Sequence, residues 1–413
     1  MRRRVVITGL GVVSPIGIGR ADFLSALERG VSGAAAVTAF DASNYSATFA
    51  CEVKNFVPEN YIDKKKVKRL ARFTQMALTA AREAVKDSGI DFSKTARDRC
   101  GVVTGTGIGG LEVIEHEYRN LLEKGPRRIS PFLIPMIITN IAPGEIAIEN
   151  GLTGPNYAVT SACASSNHAI GDSMLFIRNG HTDVMITGGA EAAITPLGFG
   201  GFCSIKALST RNDDPAHASR PFDKDRDGFV MGEGSAMFVI ESLEHARARG
   251  ARILAELVGY GASDDAYHIT APAPDAAAAV QAIESAIADA GISKDDVNYF
   301  NAHGTSTQLN DKTETLAIKK VFGDRASKIP ISSTKSMTGH LLGASGAAEL
   351  AASVLCMNAG FIHPTINYTT QDPECDLDYV PNQPRRQSYD CFISNSLGFG
   401  GHNAAIIAKK FRE

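Results

Sequence analysis

The sequence predicts a mixed α/β fold, and two observations carry that prediction. Short, β-rich apolar segments alternate along the chain with Ala-rich helical segments, which is the pattern of an α/β protein. The 413 residues are also too many for one small core, so two structural units are expected. Predicted strands are Val5–Thr8, Val102–Thr104, Val184–Thr187, Met237–Ile240, Tyr299–Asn301, Ile331–Ser333, Phe392–Ser394 and Ala405–Ala408. Predicted helices are Lys64–Ser88, Ala164–Asn179, Ala276–Ala290 and Ala344–Asn358.

A weak internal repeat predicts that this fold is duplicated. Residues 84–90 match residues 286–292, and in both copies a strand and a Gly-Thr pair follow. Further along, Cys163-Ala164-Ser165 and Gly343-Ala344-Ser345 each open a helix of the same length. Because both matches recur in the same order, we expect two α/β halves, residues 1–250 and 251–413.

Composition excludes several classes of protein. The net charge of -3 gives no global reason to expect nucleic-acid binding, and no apolar run approaches the ~20 residues of a membrane span. The basic, apolar start resembles a signal peptide, but Gly9 and Gly11 interrupt it, so a strand followed by a loop is the better interpretation. The seven cysteines form no C-x-x-C pair, which argues against disulfides or a zinc site and favours a reducing compartment.

Cys163 is the candidate nucleophile. It stands among small residues at the start of a predicted helix, where free N–H groups and the helix dipole lower a thiol's pKa. The same N–H groups can bind an oxyanion, and small neighbours leave room for an acyl chain. The alternative is a small buried side chain with no chemical role, the usual state of a free cysteine.

Two histidines favour the catalytic interpretation. His303 directly follows a predicted strand, and His340 lies in a Gly-flanked loop before the second-copy helix. If the fold is duplicated, both loops leave the same end of their strands as the Cys163 loop, which is where open α/β sheets form active sites. Neutral imidazoles there can donate hydrogen bonds to a thioester oxygen or move protons. Five other histidines are expected to be structural, namely His181, His217, His245, His268 and His363.

Two further motifs resemble binding sites without meeting their requirements. Residues 105–110 satisfy G-x-G-x-x-G, but no strand-end acid follows at the distance a ribose needs, so NAD binding is not expected. Residues 223–228 match half of a calcium loop, yet its twelfth position is Gly234 instead of the bidentate Glu. We therefore expect a buried structural loop there, and neither a metal nor a cofactor.

Taken together, the motifs resemble the elongating β-ketoacyl-[acyl-carrier-protein] synthases, and most of all their KAS II branch. The similarity runs from Val5 to Gly401, essentially the whole chain. It rests on Ser161-Ala162-Cys163-Ala164, Arg220-Pro221-Phe222-Asp223 with Gly232-Glu233-Gly234, His303-Gly304-Thr305-Ser306-Thr307, Lys335-Ser336-Met337-Thr338-Gly339-His340 and the closing glycine loop.

This resemblance implies a thiolase-like, duplicated α-β-α-β-α fold of five layers and a homodimer. It implies a ping-pong reaction in which Cys163 takes an acyl group from acyl carrier protein and a decarboxylating malonyl-carrier protein attacks it. His303 and His340 would hydrogen-bond the malonyl thioester oxygen. Lys335 would orient this network with Glu349, and the N–H groups of Cys163 and Phe399 would form the oxyanion hole. The implied location is cytoplasmic, or an organelle if a transit peptide was removed.

The resemblance also implies the surfaces that meet the substrate. Ile108 and Phe202 would line the acyl pocket, and Thr305 and Thr307 would contact the pantetheine arm. Acyl carrier protein is acidic and would dock on a local basic patch, partly on one face of the helix from Lys64 that also carries Arg72. The expected docking residues are Lys65, Lys68, Arg69, Arg127, Arg128 and Lys206.

Three residues depart from the family pattern, and three alternative functions stay open. Gln308, Leu397 and His402 stand where the family usually has Pro, Phe and Thr, which concerns the motion of the Phe399 loop. A type II polyketide ketosynthase would use the same chemistry. A degradative thiolase would need a second catalytic cysteine near the C-terminus, and an NAD oxidoreductase would use the glycine loop at 105–110.

Overall fold

The computed structural model describes residues 2–413, which form thirteen strands and thirteen α-helices. The strands are β1 (Val5–Ser14), β2 (Gly17–Ile18), β3 (Ala35–Ala36), β4 (Phe49–Ala50), β5 (Cys100–Gly105), β6 (Asn156–Val159), β7 (Val184–Glu191), β8 (Gly234–Ser242), β9 (Ala255–Asp264), β10 (Tyr299–Asn301), β11 (Ile331–Ser332), β12 (Cys391–Gly398) and β13 (His402–Lys409). The helices are α1 (Arg20–Arg29), α2 (Lys64–Val67), α3 (Arg72–Ser88), α4 (Leu111–Lys124), α5 (Leu133–Ile137), α6 (Ile141–Asn150), α7 (Ser165–Arg178), α8 (Pro196–Ser204), α9 (Leu243–Ala248), α10 (Ala277–Ala290), α11 (Gln308–Phe322), α12 (Lys335–Thr338) and α13 (Ser345–Ala359). No helix among the described residues is both long and apolar enough to cross a bilayer.

The sheet topology confirms the duplication. The strand order is β11-β10-β12-β13-β9-β1-β8-β7-β5-β6, with the two halves joined where β1 pairs with β9. When the two-residue strands β2, β3 and β4 are left out, each half contributes five strands, of which the third in chain order is outermost, followed by the second, fourth, fifth and first. The orientations also agree, because the three outer strands of each half are parallel and the remaining pairs are antiparallel. The exact division between residues 250 and 251 stays a prediction.

Helices cover both faces of each half and produce five layers. Helices α7 and α13 pack on each other and form the central layer between the two halves. The outer layer of the first half is α3, which covers β1 and β8, and that of the second half is α10, which covers β9 and β13. The buried side chains form three large cores that follow this order. One surrounds α7 and α13, one lies under α3, and one lies under α10 and α11. The predicted α/β fold is therefore confirmed, with its layers.

Glycines explain how the outer helices lie so close to the sheet. A Cβ on Gly9 or Gly11 would overlap the backbone carbonyls of Ala84 and Ala80 in α3. In the second half, Gly259 and Gly261 of β9 meet α10 in the same way at the carbonyls of Ala286 and Ala282. The expectation that Gly9 and Gly11 end the first strand is wrong, because β1 continues through them to Ser14. They are close-approach positions within a strand.

The structure corrects one predicted helix. The segment predicted as a continuous helix over Lys64–Ser88 is interrupted between Val67 and Arg72, so α2 and α3 are separate. At the start of α3, the Arg72 guanidinium turns to Glu233 at 2.6 Å. The Arg72 N–H donates to Glu112 at 2.7 Å, so distant residues hold both the backbone and the side chain at the start of α3, although Lys and Arg are good helix formers locally.

Candidate active site

Cys163 lies in a tight turn that immediately precedes α7. Ala162 adopts a left-handed conformation with φ 49°, and Ala164 caps the helix, which begins at Ser165. The Ser165 hydroxyl donates to the Ala162 carbonyl at 2.6 Å and accepts from the Ser161 N–H at 2.9 Å. A non-Gly residue with positive φ is strained, and these two hydrogen bonds hold it. The turn therefore fixes the thiol at the N-terminus of α7.

The same turn recurs in the second half with different chemistry. Leu342 has φ 47°, Ala344 caps α13 as Ala164 caps α7, and α13 begins at Ser345. The residue between them is Gly343, at the position that Cys163 occupies in the first half. No side chain fits there, because a Cβ would overlap the N–H of Gly107. Only one of the two equivalent turns therefore carries a nucleophile.

His340 is the residue in direct contact with the thiol. Its Nε2 lies 3.0 Å from the Cys163 sulfur, and its Nδ1 lies 2.8 Å from the Ser345 hydroxyl. The Phe229 ring packs edge-on against the imidazole, with ring centroids 5.1 Å apart. A hydroxyl both donates and accepts hydrogen bonds, so Ser345 is compatible with either tautomer of His340. The sequence offered no signal for Ser345 beyond its place at the start of a helix.

His303 is held in one tautomer by Lys335. The Lys335 ammonium lies 3.1 Å from Nδ1 of His303 and donates to the His303 carbonyl at 2.6 Å. It also forms a buried ion pair with Glu349. An ammonium group is only a donor, so Nδ1 must accept and the ring proton resides on Nε2. The sequence-predicted residues Lys335 and Glu349 thus orient an N–H donor next to His340, whose ring centroid is 5.3 Å away.

Burial keeps the side chains of Cys163, His303 and His340 uncharged. Desolvation, reinforced by the charge of Lys335, holds the pKa of both His303 and His340 well below the usual range for histidine. Burial also raises the pKa of the Cys163 thiol to about 11, although Lys335 and the Phe399 N–H oppose the shift. The expected lowering of the Cys163 pKa is therefore wrong. Loss of water in the closed site outweighs the helix terminus, and the resting form is a thiol.

A cavity of about 530 Å³ leads from the surface to these groups. Cys163, His303 and His340 line it, and the predicted pocket residue Ile108 lies on its wall. Leu397 and Gln308, two of the departures from the family pattern, lie on the wall as well. The other predicted residues that line it are Phe202, Thr305, Thr307, Phe399 and Lys206.

The two motifs that resembled binding sites have structural partners instead. The N–H groups of Gly107, Ile108 and Gly109 donate to the buried carboxylate of Glu191, which fills the place a phosphate would need. The carboxylate of Asp223 is fully buried and accepts N–H groups from a loop near Thr370, among others. Both loops are therefore held by hydrogen bonds between a carboxylate of the protein and backbone N–H groups.

The predicted docking residues are exposed but do not share one helix face. Lys65 lies in α2, while Lys68 and Arg69 lie in the turn that separates α2 from α3. The Arg69 guanidinium stacks over the Phe132 ring at 4.7 Å. Arg127 and Arg128 are exposed in a short 3-10 turn after α4, and Lys206 is exposed at the cavity wall. The predicted single face including Arg72 is wrong, because Arg72 points to Glu233.

The cluster also has the composition of a metal site. One sulfur and two ring nitrogens, from Cys163, His303 and His340, lie within 4.8 Å of one another. Lys335 hydrogen-bonds His303 from behind, which leaves a proton on the ring nitrogen that a metal would need. The arrangement therefore suits hydrogen bonds to a thioester better than coordination.

Comparison with known proteins agrees with this geometry. The sequence profile of the Beta-ketoacyl synthase N-terminal domain matches residues 2–246, and that of the C-terminal domain matches residues 254–369. The chain is 52% identical over 411 residues to 3-oxoacyl-[acyl-carrier-protein] synthase 2 of Synechocystis sp., covering 100% of this chain and 99% of that protein. It is 51% identical over 409 residues to the protein of the same name from Staphylococcus aureus strain COL, covering 99% of each.

Solved structures show the same fold over the full chain. The ishigamide ketosynthase/chain length factor superposes with a TM-score of 0.94 at 38% identity, covering 100% of both chains. A beta-ketoacyl synthase from Burkholderia phymatum gives a TM-score of 0.92 at 34% identity, covering 99% and 100%. A type II PKS ketosynthase in complex with its acyl-carrier protein, bound to the hexaketide, gives 0.90 at 36% identity, covering 100% of both.

A buried thiol and two neutral imidazoles at the junction of two duplicated α/β halves define a thiolase-like acyltransferase. Within that class, the chain belongs to the beta-ketoacyl synthase family.

Proposed function

We propose that this protein is an elongating β-ketoacyl-[acyl carrier protein] synthase, which joins an acyl group to malonyl-carrier protein with loss of CO2. The observation that carries the proposal is the contact of the Cys163 sulfur with His340, beside a His303 whose Nε2–H is set by Lys335. One neutral ring faces the nucleophile and a second presents a donor. These are the groups that a thiol-dependent condensation needs.

In the loading step, the Cys163 sulfur attacks the thioester carbonyl of acyl-carrier protein. Because the pKa of the thiol is about 11, the proton must leave as the carbon–sulfur bond forms. Nε2 of His340 accepts it, with the Ser345 hydroxyl accepting from Nδ1–H, and then returns it to the departing carrier thiolate. The N–H groups of Cys163 and Phe399 stabilise the tetrahedral oxyanion.

In the condensation step, malonyl-carrier protein occupies the cavity and loses CO2. The electron pair of the broken carbon–carbon bond forms an enolate, whose oxygen accepts hydrogen bonds from His303 and His340. Ser345 now donates to Nδ1 of His340, which leaves a proton on Nε2. The enolate carbon attacks the acyl thioester, and Cys163 departs as a thiolate that recovers a proton from solvent. Lys335 and Glu349 act by positioning His303.

The cavity supports an acyl substrate on a carrier. Ile108 and Phe202 form an apolar wall for the acyl chain. Thr305 and Thr307, whose hydroxyls are 2.8 Å apart, offer hydrogen bonds to the amides of the pantetheine arm. The carrier itself docks on Lys65, Lys68, Arg69, Arg127, Arg128 and Lys206, and the proposed reaction has no step that needs a metal or cofactor.

Fatty acid elongation is favoured over polyketide synthesis by the degree of similarity. The two relatives at 51–52% identity are named 3-oxoacyl-[acyl-carrier-protein] synthase 2, while the polyketide ketosynthase is 36% identical. The seven free cysteines fit a reducing compartment, and we infer a cytoplasmic enzyme.

The test is incubation with acyl- and malonyl-carrier protein. The native enzyme should release CO2, form a product two carbons longer and carry an acyl adduct at Cys163 alone. Cys163→Ser should form no condensation product, because an un-ionised hydroxyl is a much weaker nucleophile. An adduct on Cys203 or Cys356 would refute the assignment, and a poly-keto product would identify the polyketide enzyme instead.

A further inference from the structure

Glu191 is a fully buried carboxylate beside the active site that the reaction itself does not use. It ends β7, and each of its oxygens accepts hydrogen bonds from more than one donor. One oxygen accepts from the Thr106 hydroxyl at 3.0 Å and from the Ile108 N–H at 3.1 Å, with the Gly109 N–H at 3.4 Å. The other accepts from the N–H groups of Gly107 at 2.7 Å and Gly343 at 3.0 Å.

These donors come from two segments that are far apart in the sequence. The first is the glycine loop that carries Ile108 on the wall of the acyl cavity. The second is the turn before α13, which follows His340 by three residues. The fit is close, because a Cβ on Gly107 would lie 2.9 Å from the carboxylate and one on Gly343 would lie 2.8 Å from it. The carboxylate therefore joins the pocket wall to the catalytic turn.

We propose that Glu191 is a positioning residue that sets the acyl-chain length limit by holding Ile108 in place, an inference that rests on the proposed function. Three consecutive N–H groups converge on one carboxylate, which fixes the loop through its backbone. An ionised carboxylate accepts at every lone pair, whereas an amide accepts at one oxygen only. Loss of the second acceptor leaves buried N–H groups without partners, and the loop must shift to reach water.

The experiment compares Glu191→Gln with the native enzyme on a series of saturated acyl-carrier proteins of increasing length. The ratio of kcat/KM for long chains to that for short chains should rise by about fivefold, the scale of one lost hydrogen bond. Glu241→Gln is the matched control. Glu241 is also fully buried near the end of a strand and bonded to His245 and Arg249, but it lies outside the cavity wall. The Glu241→Gln variant should have a lower Tm and the same ratio of kcat/KM for long and short chains as the native enzyme.

A double-mutant cycle separates positioning from general loosening. In an Ile108→Ala background, Glu191→Gln should cause no further change in the chain-length ratio, because Ile108 is the group through which it acts. An additive change there, or an unchanged ratio in the single variant together with a lower Tm, overturns the inference. If Glu191→Gln does not fold, Glu191→Asp keeps the charge, withdraws it by one methylene and should shift the ratio in the same direction. Failure of the native enzyme to condense would refute the proposed function instead.

Discussion

At the scale of single residues, the site depends on the difference between its two histidines. Lys335 restricts His303 to one tautomer, while Ser345 leaves His340 free to accept or donate. In the proposed reaction, one imidazole is therefore a permanent donor, and the other would change its role between the two half-reactions. The residues named by the sequence motifs meet in one place, but this distinction depends on Ser345, which the sequence analysis named only as part of the internal repeat and not for its chemistry.

The two histidines should consequently give different kinetic defects. His303→Ala should reduce malonyl decarboxylation ~10²–10³-fold, as loss of an oxyanion donor does, while acyl loading of Cys163 stays within a few-fold of native. His340→Ala should slow both steps, because it also removes the group that accepts the thiol proton. Single-turnover loading followed by intact mass, together with CO2 release, measures the two steps separately. Equal loading defects in both variants would contradict the division of roles.

The buried thiol makes a specific prediction about pH. Because the pKa of Cys163 is raised to about 11, the thiolate fraction should increase about tenfold with each pH unit between pH 7 and 9. The rate of alkylation by iodoacetamide should follow without a plateau, as measured by peptide mass spectrometry with half-exposed Cys203 as an internal reference. A plateau by pH 8 would mean that the helix terminus dominates after all.

At the scale of elements, the sequence predicted those whose identity is local and missed those that depend on distant contacts. Each of the eight predicted strands falls on an observed one. Strand β9 was missed, because Gly259 and Gly261 resemble strand breakers until α10 is packed on them. The break before Arg72 was not predicted, because the residues that hold Arg72, Glu112 and Glu233, are distant in the sequence. The predicted lowering of the Cys163 pKa fails for the same reason, because the residues that bury the thiol, such as His340, come from the second half of the chain.

The interrupted segment between α2 and α3 leads to a test of carrier docking. Reversing Lys68 and Arg69 to Glu should raise KM for carrier-protein substrates, most at low salt, because charges at the rim of an interface mainly set the association rate. Saturating acyl-coenzyme A should react as before. The control is the double variant Lys328→Glu with Lys410→Glu, which changes the net charge by the same amount. Both lysines are exposed, and they lie at the ends of the strands opposite to those that carry the catalytic loops. Equal losses with both substrate types would place docking elsewhere.

At the scale of the whole molecule, an exposed apolar face supports a homodimer. It lies on α4, α5 and α6, which pack against one another in sequence, beside a half whose outermost strand is β6. Exposed apolar faces of this kind mark protein interfaces. Its members are Ile114 (41% exposed), Tyr118 (60%), Leu122 (68%), Ile134 (60%) and Ile148 (75%). The homodimer stays a prediction, in which a second copy of the chain would cover this face.

Light scattering should then give a mass near twice 43.8 kDa. Tyr118→Asp together with Leu122→Asp should shift the mass toward that of one chain, because two charges would be buried without partners. Ile269→Asp is the control, as Ile269 is 76% exposed and lies outside α4, α5 and α6. A native mass of one chain would refute the dimer.

The repeated turn has a consequence for stoichiometry. The backbone has two equivalent turns, yet Gly343 stands in one and Cys163 in the other. The turn of the second half has no reactive side chain, and its Gly343 N–H donates a hydrogen bond to Glu191. In the proposed reaction, each polypeptide would accordingly hold one acyl group at a time, although its architecture is pseudo-symmetric. The fold is duplicated but the proposed chemistry has one site, with the acyl group on the first half and the two imidazoles supplied by the second.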